Sequence, residues 1–350
     1  MAERKNSCVR KTKQRMTTTT MGFALMMMML VLCRAVTAPT VPTVTLNNGV
    51  LMPRLATSLP SAAADAKTAV AAAFAAGDTH FVTANDYLNQ PVVGDALRAL
   101  GVPRASYFVT TMTSPCQCSQ GEPHCDRNIT DLRNCTDTTV AEVLSDLDQL
   151  GLDYADLVLL HGPNLAADNV GGCTPEACAA NRAQWIAYEQ LLTQGKVRAI
   201  GVGNFCPSCL ECLLSHTVPA VNQVQYHVAY GSSGAAFVEY FASKGIVPWA
   251  YEPLSSGAAA TNALCGAIGA AHNKSAAQVA MRWITSNPAA PGFSLLTKAS
   301  NPQYLREDVD VFDGWDLSAA ERAQLDAVTC ETNPELCTHY DGRMCWGCTV

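Results

Sequence analysis

The chain has 350 residues, of which 49% are hydrophobic and 15% are charged, and its formal net charge is −7. This composition is too apolar for a disordered protein, and the length suits one large α/β domain or two smaller ones. An acidic chain without a basic stripe also excludes a nucleic-acid-binding protein.

The N-terminal segment has the order of a secretory signal peptide. A region rich in Lys and Arg precedes the apolar run Met21–Cys33, and Val36-Thr37-Ala38 offers a small-residue cleavage site. This order predicts a signal peptide over residues 1–38, and the run is short for a membrane-spanning helix, which needs roughly 20 apolar residues. The alternative is an uncleaved signal anchor, which would give a type II membrane protein. We therefore expect a protein that is secreted or lies in the endomembrane lumen, and that contacts a membrane only if this segment is an anchor.

Removal of the signal peptide changes the balance of charges and thiols. It takes seven basic and one acidic residue from totals of 23 and 30, which leaves 16 basic and 29 acidic residues and a net charge of −13. Without Cys8 and Cys33, 14 of the 16 cysteines remain, an even number that fits the disulfides of an oxidising compartment. Sequons at Asn128, Asn134 and Asn273 agree with a glycoprotein.

From about residue 40 onward, short apolar runs alternate with longer helical patterns. The predicted strands span residues 79–84, 107–112, 155–161, 197–205, 220–228, 245–253 and 293–300. The predicted helices span residues 62–76, 92–99, 139–150, 177–193, 207–215, 235–243 and 276–285. This alternation favours a (β/α)8 TIM barrel over an open doubly wound sheet, and no GxGxxG follows a strand to support a Rossmann fold. We expect the barrel over residues 41–328, with a Cys-rich loop insertion at 113–137 and a Cys-rich tail at 329–350.

Distinctive polar residues fall where the predicted strands end, which is where a barrel of this class carries its function. The seven predicted strands are counted here as the second to the eighth of the barrel. The residues are Tyr87 after the second strand, His161 after the fourth, Asn204 after the fifth, Gln223 inside the sixth, Tyr251 and Glu252 after the seventh, and Lys298 after the eighth. Each alone has a structural explanation, because a strand-end His or Tyr more often packs or bonds than catalyses. Their shared location indicates one functional site.

Seven motifs in one order give the chain a family resemblance. They are LNNGVLMPRL (46–55), FVTANDYLNQPVVGDAL (81–97), DLVLLHGP (156–163), GKVRAIGVGNF (195–205), PAVNQVQYH (219–227), AYEPLSSG (250–257), and TKAS with YLREDVDVFD (297–313). From about Thr43 to Val328 the chain resembles the aldo-keto reductases, a family of (β/α)8 barrels. The resemblance implies NADP(H) as the cofactor, a small carbonyl compound as the substrate, and reduction of aldehydes and ketones by hydride transfer.

The resemblance also implies a catalytic group of four residues, of which two are present. Tyr87 matches the tyrosine that donates a proton, and His161 matches the histidine that orients the substrate. Val82 stands at the position of the aspartate, and Met112 at the position of the lysine that lowers the pKa of the tyrosine. Asp86 lies beside the tyrosine but does not occupy the position of the aspartate. Replacing both charged partners by apolar residues leaves a stable barrel, but the lost acid–base assistance is expected to cost about 10²–10⁴ in rate.

The cofactor positions implied by the resemblance are mixed. The matching residues are Asn204 and Gln223 for the nicotinamide carboxamide, Tyr251 for stacking on the nicotinamide, Leu254 on the same loop, Lys298 for the 2′-phosphate and Glu307 for the adenine. Against these, Glu252 replaces a small hydroxyl residue near the pyrophosphate, where a carboxylate repels phosphate. Tyr304 replaces an arginine and Asp308 an asparagine. The balance favours weakened NADP(H) binding.

Two functions remain open at this point. The first is a pseudoenzyme of the secretory pathway, related to the aldo-keto reductases, in which carbonyl reduction is lost or much weakened and the barrel binds an unknown ligand or partner. The second is an active NADPH-dependent reductase with altered acid catalysis, in which Tyr87, or a water held by His161, supplies the proton.

Thiol chemistry is a third class, suggested by Cys206-x-x-Cys209 and Cys345-x-x-Cys348. Such spacings occur in zinc sites, redox sites and disulfide frameworks. Because the signal peptide predicts an oxidising compartment, we expect disulfides and no metal site.

Overall fold

The computed structural model describes residues 40–60, 62–117, 129–164 and 173–337. The chain separates after Thr37 into two units, and all of the described residues lie in the second unit, Ala38–Val350. Several predictions lie outside the described residues: the signal peptide, the part of the Cys-rich loop insertion at 118–128 with Asn128, and the part of the Cys-rich tail at 338–350 with Cys345 and Cys348.

Eight parallel strands form a closed barrel, and a short antiparallel hairpin precedes it. The hairpin strands are β1 (Thr43–Thr45) and β2 (Leu51–Pro53). The barrel strands are β3 (Leu55–Ser58), β4 (His80–Val82), β5 (Phe108–Thr113), β6 (Ala155–Leu160), β7 (Val197–Gly203), β8 (Val221–Gln225), β9 (Val247–Tyr251) and β10 (Ser294–Thr297). The barrel closes where Thr57 of β3 aligns with Thr297 of β10. The predicted TIM barrel is confirmed.

The helices surround the barrel in the order that the alternating pattern predicts. They are α1 (Ala63–Ala76), α2 (Gln90–Ala99), α3 (Leu132–Leu150), α4 (Pro175–Thr193), α5 (Pro207–Glu211), α6 (Ala235–Ser243), α7 (Ala263–His272), α8 (Ala276–Thr285), α9 (Pro302–Asp310) and α10 (Ala319–Asp326). Within the part of the chain that the structure describes, none of the helices has the length and apolar character needed to cross a membrane.

The seven predicted strands correspond to β4 through β10, and β3 was missed. With the sequence LATS, β3 has too few apolar residues in a row to predict a buried strand. The helices α7, α9 and α10 were also missed. The prediction that residues 113–137 form a loop is wrong at its C-terminal end, because α3 begins at Leu132. Asp131 caps this helix, and its side chain accepts a hydrogen bond from the backbone N–H of Arg133.

Side chains of β6 alternate between the lumen of the barrel and the surrounding helices. Leu157 and Leu159 belong to an apolar cluster in the lumen, whereas Val158 and Leu160 pack toward the helices. The lumen cluster includes Met52 of the hairpin. The hairpin therefore closes the N-terminal end of the barrel, and the loops at the opposite end can form a site.

Candidate active site

A cavity of about 690 Å³ lies at the C-terminal ends of the barrel strands. Its lining includes eight residues that the sequence places at the site: Tyr87, His161, Asn204, Gln223, Tyr251, Glu252, Leu254 and Lys298. Glu307 is not part of this lining. It lies on α9, where its carboxylate accepts hydrogen bonds from Ser275 Oγ at 3.0 Å and from Gln303 Nε2 at 2.8 Å.

Val82 and Met112 form part of the apolar floor beneath this cavity. Both side chains are 0% exposed, and both belong to the lumen cluster, against which Tyr87 and Tyr251 pack. Burial and, to a smaller extent, the carboxylate of Asp86 raise the pKa of Tyr87 to about 12. A cation at the position of Met112 would act in the opposite direction. Burial against this apolar lumen therefore makes Tyr87 a weaker acid than a free tyrosine.

A buried carboxyl group on α3 fixes the turn that carries Tyr87 through hydrogen bonds. Asp146 accepts hydrogen bonds from Thr111 Oγ1 at 2.6 Å, Gln90 Nε2 at 3.1 Å and Asn85 Nδ2 at 3.3 Å. Burial raises the pKa of Asp146 to about 6. The turn from Asn85 to Tyr87 is therefore fixed to β5, α2 and α3 rather than being a free loop.

His161 is fixed by both its backbone and its ring. Its Nδ1 lies 3.2 Å from Asp86 Oδ1, and its ring meets the Tyr87 ring edge-on with centroids 5.7 Å apart. Its carbonyl oxygen accepts a hydrogen bond from Asn204 Nδ2 at 2.8 Å. A Cβ on Gly203 would lie 3.0 Å from the same carbonyl oxygen, so glycine permits this close approach of β7.

The amide side chains of the site differ in whether their hydrogen bonds are satisfied. Tyr251 Oη donates to Asn204 Oδ1 at 2.9 Å, so both ends of the Asn204 amide have partners. Gln223 is 4% exposed, and its Nε2 has no hydrogen-bond partner. A buried donor without a partner is costly. A carboxamide oxygen in the cavity would satisfy it, so these residues fit the amide end of a nicotinamide.

The lining of the cavity also carries charges of both signs. Lys298 and Glu252 are exposed residues of the lining. The Glu252 carboxylate accepts a hydrogen bond from Gln225 Nε2 at 2.8 Å. The ammonium group of Lys298 would attract a phosphate, whereas the carboxylate of Glu252 would repel one.

Unusual backbone conformations concentrate around this cavity. Of the six described non-glycine residues with φ between 48° and 60°, only Asn273 lies away from the cavity wall and its adjoining residues. The other five are Leu88, Asn204, Glu252, Ser255 and Ser256. Left-handed backbone at residues other than glycine costs free energy and clusters at functional sites, which supports a functional role for this end of the barrel.

Sequence reasoning missed several members of the site. Asp86 was set aside because it does not match the family aspartate, yet it contacts His161. Its place directly before Tyr87 was the only signal available. Ser58 at the end of β3 lines the cavity together with Leu59 and Pro60 just after it, and these residues were missed together with that strand.

Several cysteines of the described residues form disulfides. The described pairs are Cys116–Cys135, Cys173–Cys209, Cys178–Cys212 and Cys330–Cys337. Cys206 is also disulfide-bonded, and Cys265 is a buried free thiol. Among the described residues, no group of three or more His, Cys, Asp or Glu side chains could hold a metal ion.

Comparison with known proteins decides the family. The model of the Aldo/keto reductase family matches residues 52–329. The chain belongs to this family. It is therefore an oxidoreductase of the aldo-keto reductase family. It is 34% identical over 312 residues to morphine 6-dehydrogenase of Pseudomonas putida, and the aligned region covers 82% of this chain and 91% of that protein. It is 33% identical over 294 residues to the 9,11-endoperoxide prostaglandin H2 reductase of Trypanosoma cruzi, which covers 81% of this chain and 90% of that protein.

A solved structure agrees with this membership. The crystal structure of an aldo/keto reductase from Brucella melitensis superposes with a TM-score of 0.68 and 27% identity, over 83% of this chain and 100% of that chain. Aldo-keto reductases generally use NADP(H).

Proposed function

We propose that this chain retains the cofactor cavity of an aldo-keto reductase, but that its reduction of carbonyl compounds is lost or much weakened. The observation that carries the proposal is the lumen beneath the cavity, where Val82 and Met112 are both 0% exposed. A charged pair there would favour the phenolate of Tyr87, whose pKa in this environment is about 12. A tyrosine with a raised pKa transfers its proton less readily.

The cofactor part of the proposal rests on the lining of the cavity. NADP(H) supplies the hydride of carbonyl reduction when it is bound. Gln223 and Asn204 would hold its carboxamide, Tyr251 would stack on its ring, and Lys298 would meet phosphate. Glu252 would weaken this binding by repulsion.

Restoring the missing pair tests the proposal. Val82→Asp combined with Met112→Lys should raise the rate of NADPH oxidation with 4-nitrobenzaldehyde by about 10²–10⁴ over the unmodified protein. Val82→Asn combined with Met112→Gln is the matched control, because it adds polarity without charge. An unmodified protein that already turns over at the usual 1–10³ s⁻¹ would contradict the proposal.

The second candidate is an active NADPH-dependent aldehyde or ketone reductase with altered acid catalysis. It is favoured by the retained contact between Tyr87 and His161 at the cavity. In this candidate Tyr87, or a water held by His161, supplies the proton. Measurable reduction by the unmodified protein that depends on one of these two side chains would support it.

The proposal also includes a location in the secretory pathway. Its supports are the N-terminal sequence, the four described disulfides and the exposure of Asn134 and Asn273. Expression of the full chain in a eukaryotic cell should give a product whose mobility rises after PNGase F treatment. A product that stays in the cytosol with no glycan would exclude this location.

A further inference from the structure

A single carboxylate oxygen on α3 joins the two ends of one wall of the cavity. We call the stretch from Asn85 to Gln90 the wall segment, because its members Tyr87 and Asn89 line the cavity. Asp146 Oδ1 accepts hydrogen bonds from Asn85 Nδ2 at 3.3 Å and from Gln90 Nε2 at 3.1 Å, which are the first and last residues of the segment. The two lining residues therefore lie between two points of attachment to one side chain.

The middle of the wall segment has a strained backbone. Leu88 is in the left-handed region with φ of 52°, and its side chain is 83% exposed. Left-handed backbone costs free energy at a residue other than glycine, and an exposed side chain contributes little packing to offset that cost. The contacts of the neighbouring residues therefore determine whether the segment keeps this shape.

The second oxygen of Asp146 attaches the same side chain to the barrel. Asp146 Oδ2 accepts a hydrogen bond from Thr111 Oγ1 of β5 at 2.6 Å. Within the wall segment, Asn89 has an attachment of its own, because its Nδ2 donates to Leu59 O at 3.0 Å. Asn85, at the other end, donates its side-chain hydrogen bond to Asp146. Asp146 thus connects the start of the wall segment to the barrel.

The hydrogen bonds of Asp146 suit a carboxylate. Thr111, Asn85 and Gln90 all donate to it. Hydrogen bonds to an ionised acceptor are roughly twice as strong as neutral ones, so loss of the charge weakens all three. The Thr111 hydroxyl can reverse and accept the proton of a neutral carboxyl group, whereas the amide groups of Asn85 and Gln90 can only donate their N–H. Protonation therefore weakens the attachment of the wall segment.

We propose that Asp146 is a pH-sensitive clamp on the wall segment, and that the cavity binds NADP(H) more tightly when this carboxyl group is ionised. The inference rests on the proposed function, in which the cavity is a cofactor site. It adds regulation of that site by pH.

The ionisation of Asp146 falls in an accessible range of pH. Burial raises the pKa of Asp146 to about 6, and the hydrogen bonds from Thr111 and Asn85 oppose this rise. The negative charge of Asp86, a member of the wall segment, adds to the rise. The folded protein therefore exchanges this proton between about pH 5 and pH 7.

Other ionisable groups lie on the elements that pack against α3. The strand β5 has none, and the wall segment contributes Asp86 and Tyr87. Asp86 Oδ1 in turn lies 3.2 Å from His161 Nδ1. The remaining charged side chains are Asp95 and Arg98 of α2, Glu176, Arg182 and Glu189 of α4, and Glu142 one turn before Asp146 on α3. Because Asp86 and His161 are ionisable too, a variant of Asp146 is needed to isolate its effect.

The test compares the unmodified protein with Asp146→Asn and Asp148→Asn. Asparagine keeps an acceptor oxygen for Asn85 and Gln90 but cannot ionise, so Asp146→Asn imitates the protonated clamp at every pH. Asp148 is an exposed carboxylate on the same helix and lies outside the cavity lining, which makes Asp148→Asn the matched control. The measurement is the Kd of NADP⁺ by calorimetry between pH 5 and pH 8.

We expect the unmodified protein to bind NADP⁺ about five- to tenfold more tightly than Asp146→Asn at pH 8, and within about twofold of it at pH 5. The 2′-phosphate of NADP⁺ itself titrates at about pH 6, but it does so with every variant, so the ratio of Kd values isolates Asp146. Asp148→Asn should follow the unmodified protein. A merely structural role of Asp146 would give the same ratio at both pH values.

A second measurement does not depend on cofactor binding. In an NMR titration of the protein without cofactor, the side-chain amide signals of Asn85 should shift with a midpoint at about pH 6, because their acceptor changes charge. This shift should be lost in Asp146→Asn and kept in Asp148→Asn.

Two results would overturn the inference. One is a ratio of Kd values between Asp146→Asn and the unmodified protein that stays constant from pH 5 to pH 8, which leaves the cofactor site standing. The other, which needs no variant to fold, is a set of Asn85 amide signals that do not move over this range in the unmodified protein. Absence of NADP⁺ binding at every pH would contradict the proposed function together with the affinity part of the inference, and titrating Asn85 signals would still support the clamp.

Discussion

Val82 and Met112 are fully buried in the lumen of the barrel, so a single charge placed at either position would have no partner. We expect Val82→Asp alone or Met112→Lys alone to lower the free energy of unfolding by about 3–5 kcal/mol. The double variant should lose less than the sum of the two. Urea unfolding of the four proteins of this double-mutant cycle measures the coupling, and strictly additive losses would show that the two side chains do not face each other.

Asp78 is a buried carboxyl group whose protonation affects stability. It accepts hydrogen bonds from Thr57 Oγ1 at 2.6 Å and from the N–H of His80 at 3.0 Å. Burial nevertheless raises its pKa from 3.8 to about 7. The folded protein therefore holds this proton where the unfolded chain releases it. The stabilisation is complete below about pH 4 and is lost as the pH rises to about 7.

Replacing Asp78 by asparagine should remove this dependence on pH. Between pH 5 and pH 8, Asp78→Asn should gain about 2–3 kcal/mol in free energy of unfolding relative to the unmodified protein. Urea unfolding at the two pH values measures the gain, with Asp148→Asn as an exposed control. An equal difference between variant and unmodified protein at both pH values would contradict the raised pKa.

Between secondary-structure elements, the disulfides add covalent links to segments that would otherwise be held by noncovalent contacts alone. Cys178 at the start of α4 is bonded to Cys212 just after α5, and 34 residues separate them. Cys330 and Cys337 are only 7 residues apart. A longer closed loop restricts the unfolded chain more strongly, so the first pair should contribute more to stability.

Removing each pair separately checks this order. Cys178→Ser with Cys212→Ser should lower the free energy of unfolding by about 2–4 kcal/mol, and Cys330→Ser with Cys337→Ser by less. Both double variants leave an even number of cysteines, so each is the control for the other. A larger loss from the C-terminal pair would show that contacts at that segment outweigh the loop-closure effect.

The C-terminal segment makes such contacts with the loop after β9. Ser255 Oγ donates to Leu336 O, and Asn262 Nδ2 donates to Glu335 Oε1 at 2.9 Å. Leu254 and Ser256 of the same loop line the cavity. The Cys330–Cys337 disulfide therefore lies in the segment that supports one wall of the cavity.

For the whole molecule, the sequence predicted the elements whose signal is local. The strands β4 to β10 are short apolar runs, and their polar ends predicted the members of the cavity. The strand β3 and the hairpin strands have only three or four residues each and contain no such run. The start of α3 depends on the Asp131 cap inside a Cys-rich stretch that reads as loop.

Contacts across the barrel could not be predicted in the same way. Asp86 follows β4 and His161 follows β6, two strands that are separated in the sheet by β5. Their contact depends on the direction of a turn, which neither composition nor periodicity specifies. The sequence likewise could not predict that Gln223 Nε2 has no hydrogen-bond partner, because this depends on Asn204 and Tyr251 bonding to each other.

We propose that this cavity is an NADP(H) site whose affinity Glu252 reduces. Its most direct test is a calorimetric titration of NADPH into the oxidised protein and into Glu252→Gln, which keeps an acceptor for Gln225 and removes the charge. We expect saturable binding in both, with a Kd about five- to tenfold lower in the variant, equivalent to roughly 1 kcal/mol of relieved repulsion. No binding of millimolar NADPH to either protein would contradict the account.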